Sequence, residues 1–84
     1  MKTNKTFQSF LKTIGNHLAA LRQQKGYSTI KGFAMTYELP EIHYWRIEKG
    51  KANVTLKSLS KILKIHKISV QDFFCLITNE KLTV

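Results

Sequence analysis

FAMTYELPEIHYWRIEKGK, from Phe33 to Lys51, is the stretch whose reading decides the fold of this 84-residue chain. Its second half, Pro40 to Lys49, reads as one short helix that Gly50 ends. On a wheel of about 100° per residue with Tyr44 at the origin, Pro40, Ile47 and Glu48 fall on the side of Tyr44. Ile42, Trp45, Arg46 and Lys49 fall on the other side. Tyr44 and Ile47 can then face a core while a tryptophan, an isoleucine and two cations face outward. Such an outer face suits contact with something negative and partly apolar rather than plain solvent.

Working back toward the N-terminus, Phe7, Phe10, Leu11, Ile14, Leu18 and Leu21 recur every three or four positions. This is an amphipathic stripe that predicts a helix over about 6–25. Gly15 interrupts it at a cost of roughly 1 kcal/mol against alanine, which points to a close helix crossing there. Gly26 closes the helix in the left-handed position. Ser28 or Thr29 can cap a second helix running to Tyr37, with Ile30, Phe33, Ala34 and Tyr37 inward. Glu38 and Leu39 make a short turn, and Pro40 opens the third helix, where a missing N–H costs nothing.

Working forward, Lys51 to Val54 lead to Thr55, an N-cap for a fourth helix with Leu56, Leu59, Ile62 and Leu63 inward. Ser69 and Asp72 resemble a capping box before Phe73, Phe74, Leu76 and Ile77 in a fifth. The last residues, 78–84, are too short and mixed to assign. The fold class is all-α, a single domain over 1–84.

Charge narrows the function. Fourteen Lys and Arg oppose five Asp and Glu, a net charge of +9. The first 37 residues hold six cations and no acid, and residues 49–67 hold six lysines and no acid. That is the electrostatic footprint of a nucleic-acid binder; an anionic membrane surface is the other partner such a balance fits. No apolar run approaches a membrane span, and no apolar signal core follows the first lysines. Cys75 has no internal partner, as expected of a cytoplasmic chain.

The residues from Ile14 to Phe74 resemble the lambda-repressor-like, Cro-type helix-turn-helix family. The resemblance rests on Ile14-Gly15, Leu18, Leu21-Arg22, Lys25-Gly26, Phe33-Ala34 and Ile47-Glu48-Lys49-Gly50, then Leu56, Leu59, Ile62 and the Ile68-Ser69-Val70-x-x-Phe73-Phe74 ending. It implies a compact bundle of five helices, with the second helix across the DNA backbone and the third in the major groove. It also implies that Arg22 pairs with Glu48 to brace the third helix against the first. The chain departs from the family at Glu38, where glycine is usual, and at Pro40, where a small polar residue is usual. One residue is added between Gly26 and Phe33, and His66 and Lys67 replace leucine and glycine. Glu38 in a left-handed turn would be strained by roughly 1–2 kcal/mol, so a turn of different construction is expected there.

On this reading the base-reading residues are Glu41, Ile42, His43, Trp45 and Arg46. Arginine can bond guanine O6 and N7 together, and Ile42 can meet a thymine methyl. Glu41 serves equally as an acceptor for cytosine N4 or as a favourable carboxylate at a helix N-terminus. Trp45 fits either a sugar–phosphate wall or a second subunit. Ser28, Thr29 and Lys31 at the start of the second helix, and Lys49, Lys51 and Asn53 after the third, are phosphate clamps. Lys57, Lys61 and Lys64 read as a solvated face.

No catalytic, metal or cofactor site is expected, because His17, His43, His66 and Cys75 fall in no ligand spacing and the acids are scattered. The expected partner is double-stranded DNA, bound by a homodimer joined through Phe74, Leu76, Ile77 and Leu82. The rivals are an antitoxin-like module with a protein partner, and a membrane-surface or RNA binder.

Overall fold

The computed structural model describes the backbone of residues 2–82 and the side chains of residues 6–78. Within them the chain is all-helical, as the periodicity predicts: α1 (Lys2–Gln24), α2 (Ile30–Thr36), α3 (Glu41–Glu48), α4 (Leu56–Ile65) and α5 (Val70–Leu82). The helices fall into two units, Met1–Asn53 carrying the first three and Val54–Val84 carrying the last two.

In the first unit, α3 packs on both α1 and α2. Its buried apolar side chains are Leu11, Ile14, Leu18, Phe33, Ala34, Tyr44 and Ile47. Phe33 sits among three other rings, with centroids 5.5 Å from Tyr27, 5.0 Å from Tyr37 and 5.2 Å from Tyr44. These aromatics join α2, the loop before it and α3 into one packed block, each pair tilted or edge-on as ring quadrupoles favour.

The crossing of α1 and α3 depends on Gly15. A Cβ there would lie 2.2 Å from the carbonyl oxygen of Glu48 and 2.7 Å from that of Ile47. Backbone meets backbone at this point, so the glycine predicted from its helix-weakening position is a contact surface. Phe7, expected in the buried stripe, is instead 48% exposed. It lies eight residues before Gly15, about 12 Å up the helix axis at 1.5 Å per residue, away from the crossing point.

Four helices end in the same way. The residue after each C-cap takes a positive φ: Gly26 at 103°, Glu38 at 56°, Gly50 at 71° and Lys67 at 58°. At each end the next N–H reaches back across a full turn, Tyr27 to Arg22 O, Leu39 to Ala34 O, Lys51 to Arg46 O and Ile68 to Leu63 O, at 2.8–3.2 Å. This Schellman arrangement satisfies carbonyls the helix leaves open. The turn at Glu38 is therefore built like the glycine turn it replaces, which corrects the expectation of a different construction. The chain accepts the left-handed strain because Leu39 N–H to Ala34 O, at 2.8 Å, ties α2 to the approach of α3.

Side chains cap the other ends. Thr29 Oγ1 accepts from Gly32 N–H and Thr55 Oγ1 from Ser58 N–H, both at 3.0 Å, and Ser69 Oγ accepts from Asp72 N–H at 2.9 Å. Pro40 stands at the N-cap of α3 and supplies no side-chain bond.

The second unit buries Leu59, Ile62, Leu63, Phe73 and Ile77. Leu56, expected inward, is 67% exposed. It is the first residue of α4, and Cβ bonds tilt toward a helix N-terminus, so its side chain projects past the helix end. The unassigned segment after Thr78 continues α5 as far as Leu82. The last two residues of that tail lie outside the described residues. Of the residues expected at a dimer contact, Ile77 is buried in the fold and Leu76 is exposed. The Leu82 side chain also lies outside the described residues.

Candidate nucleic-acid interface

The site is built from α3 and the chain on either side of it, all within Met1–Asn53. The inner face of α3 carries Tyr44, Ile47 and Glu48, each nearly sealed from solvent. Glu48 is charged, and its burial is compensated. Arg22 Nε donates to Glu48 Oε2 at 2.8 Å and a second guanidinium nitrogen donates to Oε1 at 3.2 Å. The remaining guanidinium nitrogen donates to Tyr27 O at 2.8 Å, and the Tyr44 hydroxyl donates to Glu48 Oε2. A forked pair with further hydrogen bonds from Tyr44 to the carboxylate and from the guanidinium to Tyr27 O is the geometry in which a buried charge is tolerated.

The electrostatics follow. The hydrogen bond to Glu48 raises the Arg22 pKa above its already high ordinary value, against an opposing effect of burial. Tyr44 is pushed well above the usual phenol range, first by burial and then by its bond to Glu48. Both groups therefore hold their protons firmly, and α3 is pinned to α1 through side chains as well as through the Gly15 crossing.

With that face fixed, the outer face is determined. Glu41, Ile42, His43, Trp45 and Arg46 are all exposed, Ile42 at 76% and Trp45 at 40%. Glu41 stands in the first turn of α3, where the helix dipole favours an acid. Arg46 and Trp45 are not independent. One Arg46 nitrogen donates to Lys51 O at 3.3 Å, and Lys51 Nζ lies 5.8 Å from the centroid of the Trp45 ring. Lys51 thus touches both large residues of the face, a link that sequence spacing alone did not expose.

The residues expected at phosphates lie at the start of α2 and just after α3. Ser28, Thr29 and Lys31 are exposed at the start of α2. The Thr29 hydroxyl is already engaged in capping, so it has less capacity for an outside ligand than the sequence reading allowed. Lys49, Lys51 and Asn53 are exposed just beyond α3. Lys12 of α1 joins Lys49, Gly50 and Lys51 around one surface depression, with Gln8 and Ser9. Sequence alone assigns Lys12 no role, because its distance along the chain from Lys49 hides a proximity that only the α1–α3 crossing creates.

Among the described residues no three His, Cys, Asp or Glu side chains gather as metal ligands, and no helix is long and apolar enough to cross a membrane. Comparison with known proteins finds the control protein C.MunI of a Mycoplasma species, 36% identical over 66 residues. The match spans 79% of this chain and 89% of the relative. No family model matches the chain, and no solved structure matches it.

Proposed function

This chain belongs to the helix-turn-helix regulator family that includes C.MunI, and we propose from that membership that it is a sequence-specific transcriptional regulator of double-stranded DNA. The single observation that carries the proposal is the division of α3. One face is locked to α1 and α2 through Tyr44, Ile47 and Glu48. The other offers Ile42, Trp45 and Arg46 to solvent beside lysines.

A rigidly held helix with such a face fits the major groove, which is wide enough to take one helix and there displays a distinct pattern for each base pair. In this reading α2 lies across the backbone while Glu41, Ile42, His43, Trp45 and Arg46 meet base edges. Ser28, Thr29, Lys31, Lys49, Lys51 and Asn53 hold phosphates, fixing register without reading sequence. The domain docks without chemistry and without a cofactor.

The working form is taken to be a cytoplasmic homodimer, each copy a single domain over residues 1–84, on half-sites about 34–36 Å apart. Exposed Leu56 and Leu76 offer apolar surface that a second copy can cover. An antitoxin-like protein partner remains the rival use of the same fold.

Selection of bound duplexes from a random library at moderate salt tests the proposal. One enriched motif is expected. Binding with no motif, lost steeply as salt rises, would reduce the interaction to backbone affinity and overturn it.

A further inference from the structure

The depression between α1 and the end of α3 is lined by Gln8, Ser9 and Lys12 on one side and Lys49, Gly50 and Lys51 on the other. Its geometry is set by backbone. Gly50 has φ 71°, and a Cβ there would lie 2.9 Å from Cα and Cγ of Lys12. Only a glycine lets α1 approach this closely, and the approach places Lys12 beside two lysines far from it in sequence.

Among the described residues no acid lines the depression. Glu48, the nearest in sequence, is committed to Arg22 and Tyr44. Glu41 lies at the opposite end of α3, eight residues or about 12 Å away, beyond the screening length of about 8 Å at physiological salt. The Gly50 and Lys51 N–H groups are already bonded to Ile47 O and Arg46 O. Any ligand here is therefore held by side chains: three ammonium groups, one amide and one hydroxyl. All can donate, and the cations repel one another until an anion enters. A compact multivalent oxyanion matches that set.

We propose that this cleft is a phosphate-binding site in which Lys12, Gln8 and Ser9 complete a cradle begun by Lys49 and Lys51. The phosphate comes either from a DNA backbone position flanking α3 or from a small free phosphate compound. The inference extends the DNA-binding reading and rests on it for the first source only.

Two measurements on the full chain separate the sources. In the first, binding to the selected duplex is followed over a range of salt for wild type, Lys12→Gln and, as control, Lys25→Gln. Loss of one phosphate contact lowers the slope of log affinity against log salt by about 0.9 and weakens all duplexes alike. In the second, amide NMR signals are titrated with inorganic pyrophosphate in the absence of DNA. Shifts at Ser9, Lys12, Gly50 and Lys51 in wild type, lost in Lys12→Gln and kept in Lys25→Gln, identify a free phosphate ligand.

A changed slope identifies DNA, and shifts without a changed slope identify the free compound. A Lys12→Gln variant with wild-type slope and no wild-type pyrophosphate shifts would overturn the proposal. Gln is a good helix former and Lys12 is exposed, so the variant is expected to fold. If wild type selects no duplex motif, the DNA reading fails while the pyrophosphate titration still decides the cleft.

Discussion

Glu48 and Arg22, 26 positions apart, form a forked ion pair between α3 and α1 that is almost sealed from solvent. The pair lies about two turns of α1 beyond the close approach at Gly15, and it braces the outer face of α3 at its angle to α1. Replacing one partner leaves the other buried and uncompensated. Glu48→Ala is expected to lower unfolding free energy by about 3–5 kcal/mol in urea denaturation. A loss under about 1 kcal/mol, the range of exposed pairs, would show that the pair does not brace the helices.

Gly15→Ala separates intrinsic helix propensity from packing. Alanine favours an isolated helix by roughly 1 kcal/mol. Here its Cβ would lie 2.2 Å from the Glu48 carbonyl oxygen, which belongs to the backbone and cannot swing away. Overpacking of this kind typically costs about 1–3 kcal/mol. The variant should be less stable than wild type by thermal unfolding, and an unchanged or raised melting temperature would refute the close crossing.

Glu38→Gly should act in the opposite direction. Relieving a left-handed non-glycine residue gains roughly 1–2 kcal/mol, offset by about 0.4–1 kcal/mol from the looser unfolded chain. A net stabilisation near 0.5–1 kcal/mol is expected by denaturant midpoint, with the same sign for Lys67→Gly.

The Arg22–Glu48–Tyr44 cluster also sets a pH dependence. Tyr44 has its folded pKa raised by burial and by its bond to Glu48, and Arg22 is raised by the same carboxylate. A raised folded pKa means the contribution is whole below the unfolded value and fades as pH climbs beyond it. For tyrosine that value is about 10. The share of stability from Tyr44 should be constant from neutral pH to about 9 and decline above about 10. Tyrosinate absorbance compared between wild type and Tyr44→Phe checks this, since the Tyr44 phenol should ionise only with unfolding. Ionisation of Tyr44 in a chain with intact tertiary circular dichroism would contradict it.

Much of this architecture was legible in the sequence because helical periodicity and caps are local signals. The stripe of Leu11, Ile14 and Leu18 and the inward trio Tyr44, Ile47 and Glu48 follow from spacing of three and four, while the stop at Gly26 and a cap at Ser28 or Thr29 follow from residue type, the structure choosing Thr29. Leu56 and Phe7 were misread because a wheel records direction around a helix but not position along it. Glu38 was misread because propensity gives the strain of a left-handed residue but not the Leu39–Ala34 bond that offsets it. The Lys51 link between Arg46 and Trp45, and the proximity of Lys12 to Lys49, depend on how segments fold back on each other, which no local pattern encodes.

Whether the outer face of α3 reads base sequence is decided by measuring Arg46→Ala and wild type against the selected duplex and its single base-pair variants. A loss of about 1–3 kcal/mol on the selected duplex is expected, with discrimination relaxed at one base pair and kept at the others. Equal weakening on every duplex, with discrimination intact at each position, would make Arg46 a phosphate contact and refute base reading by this residue.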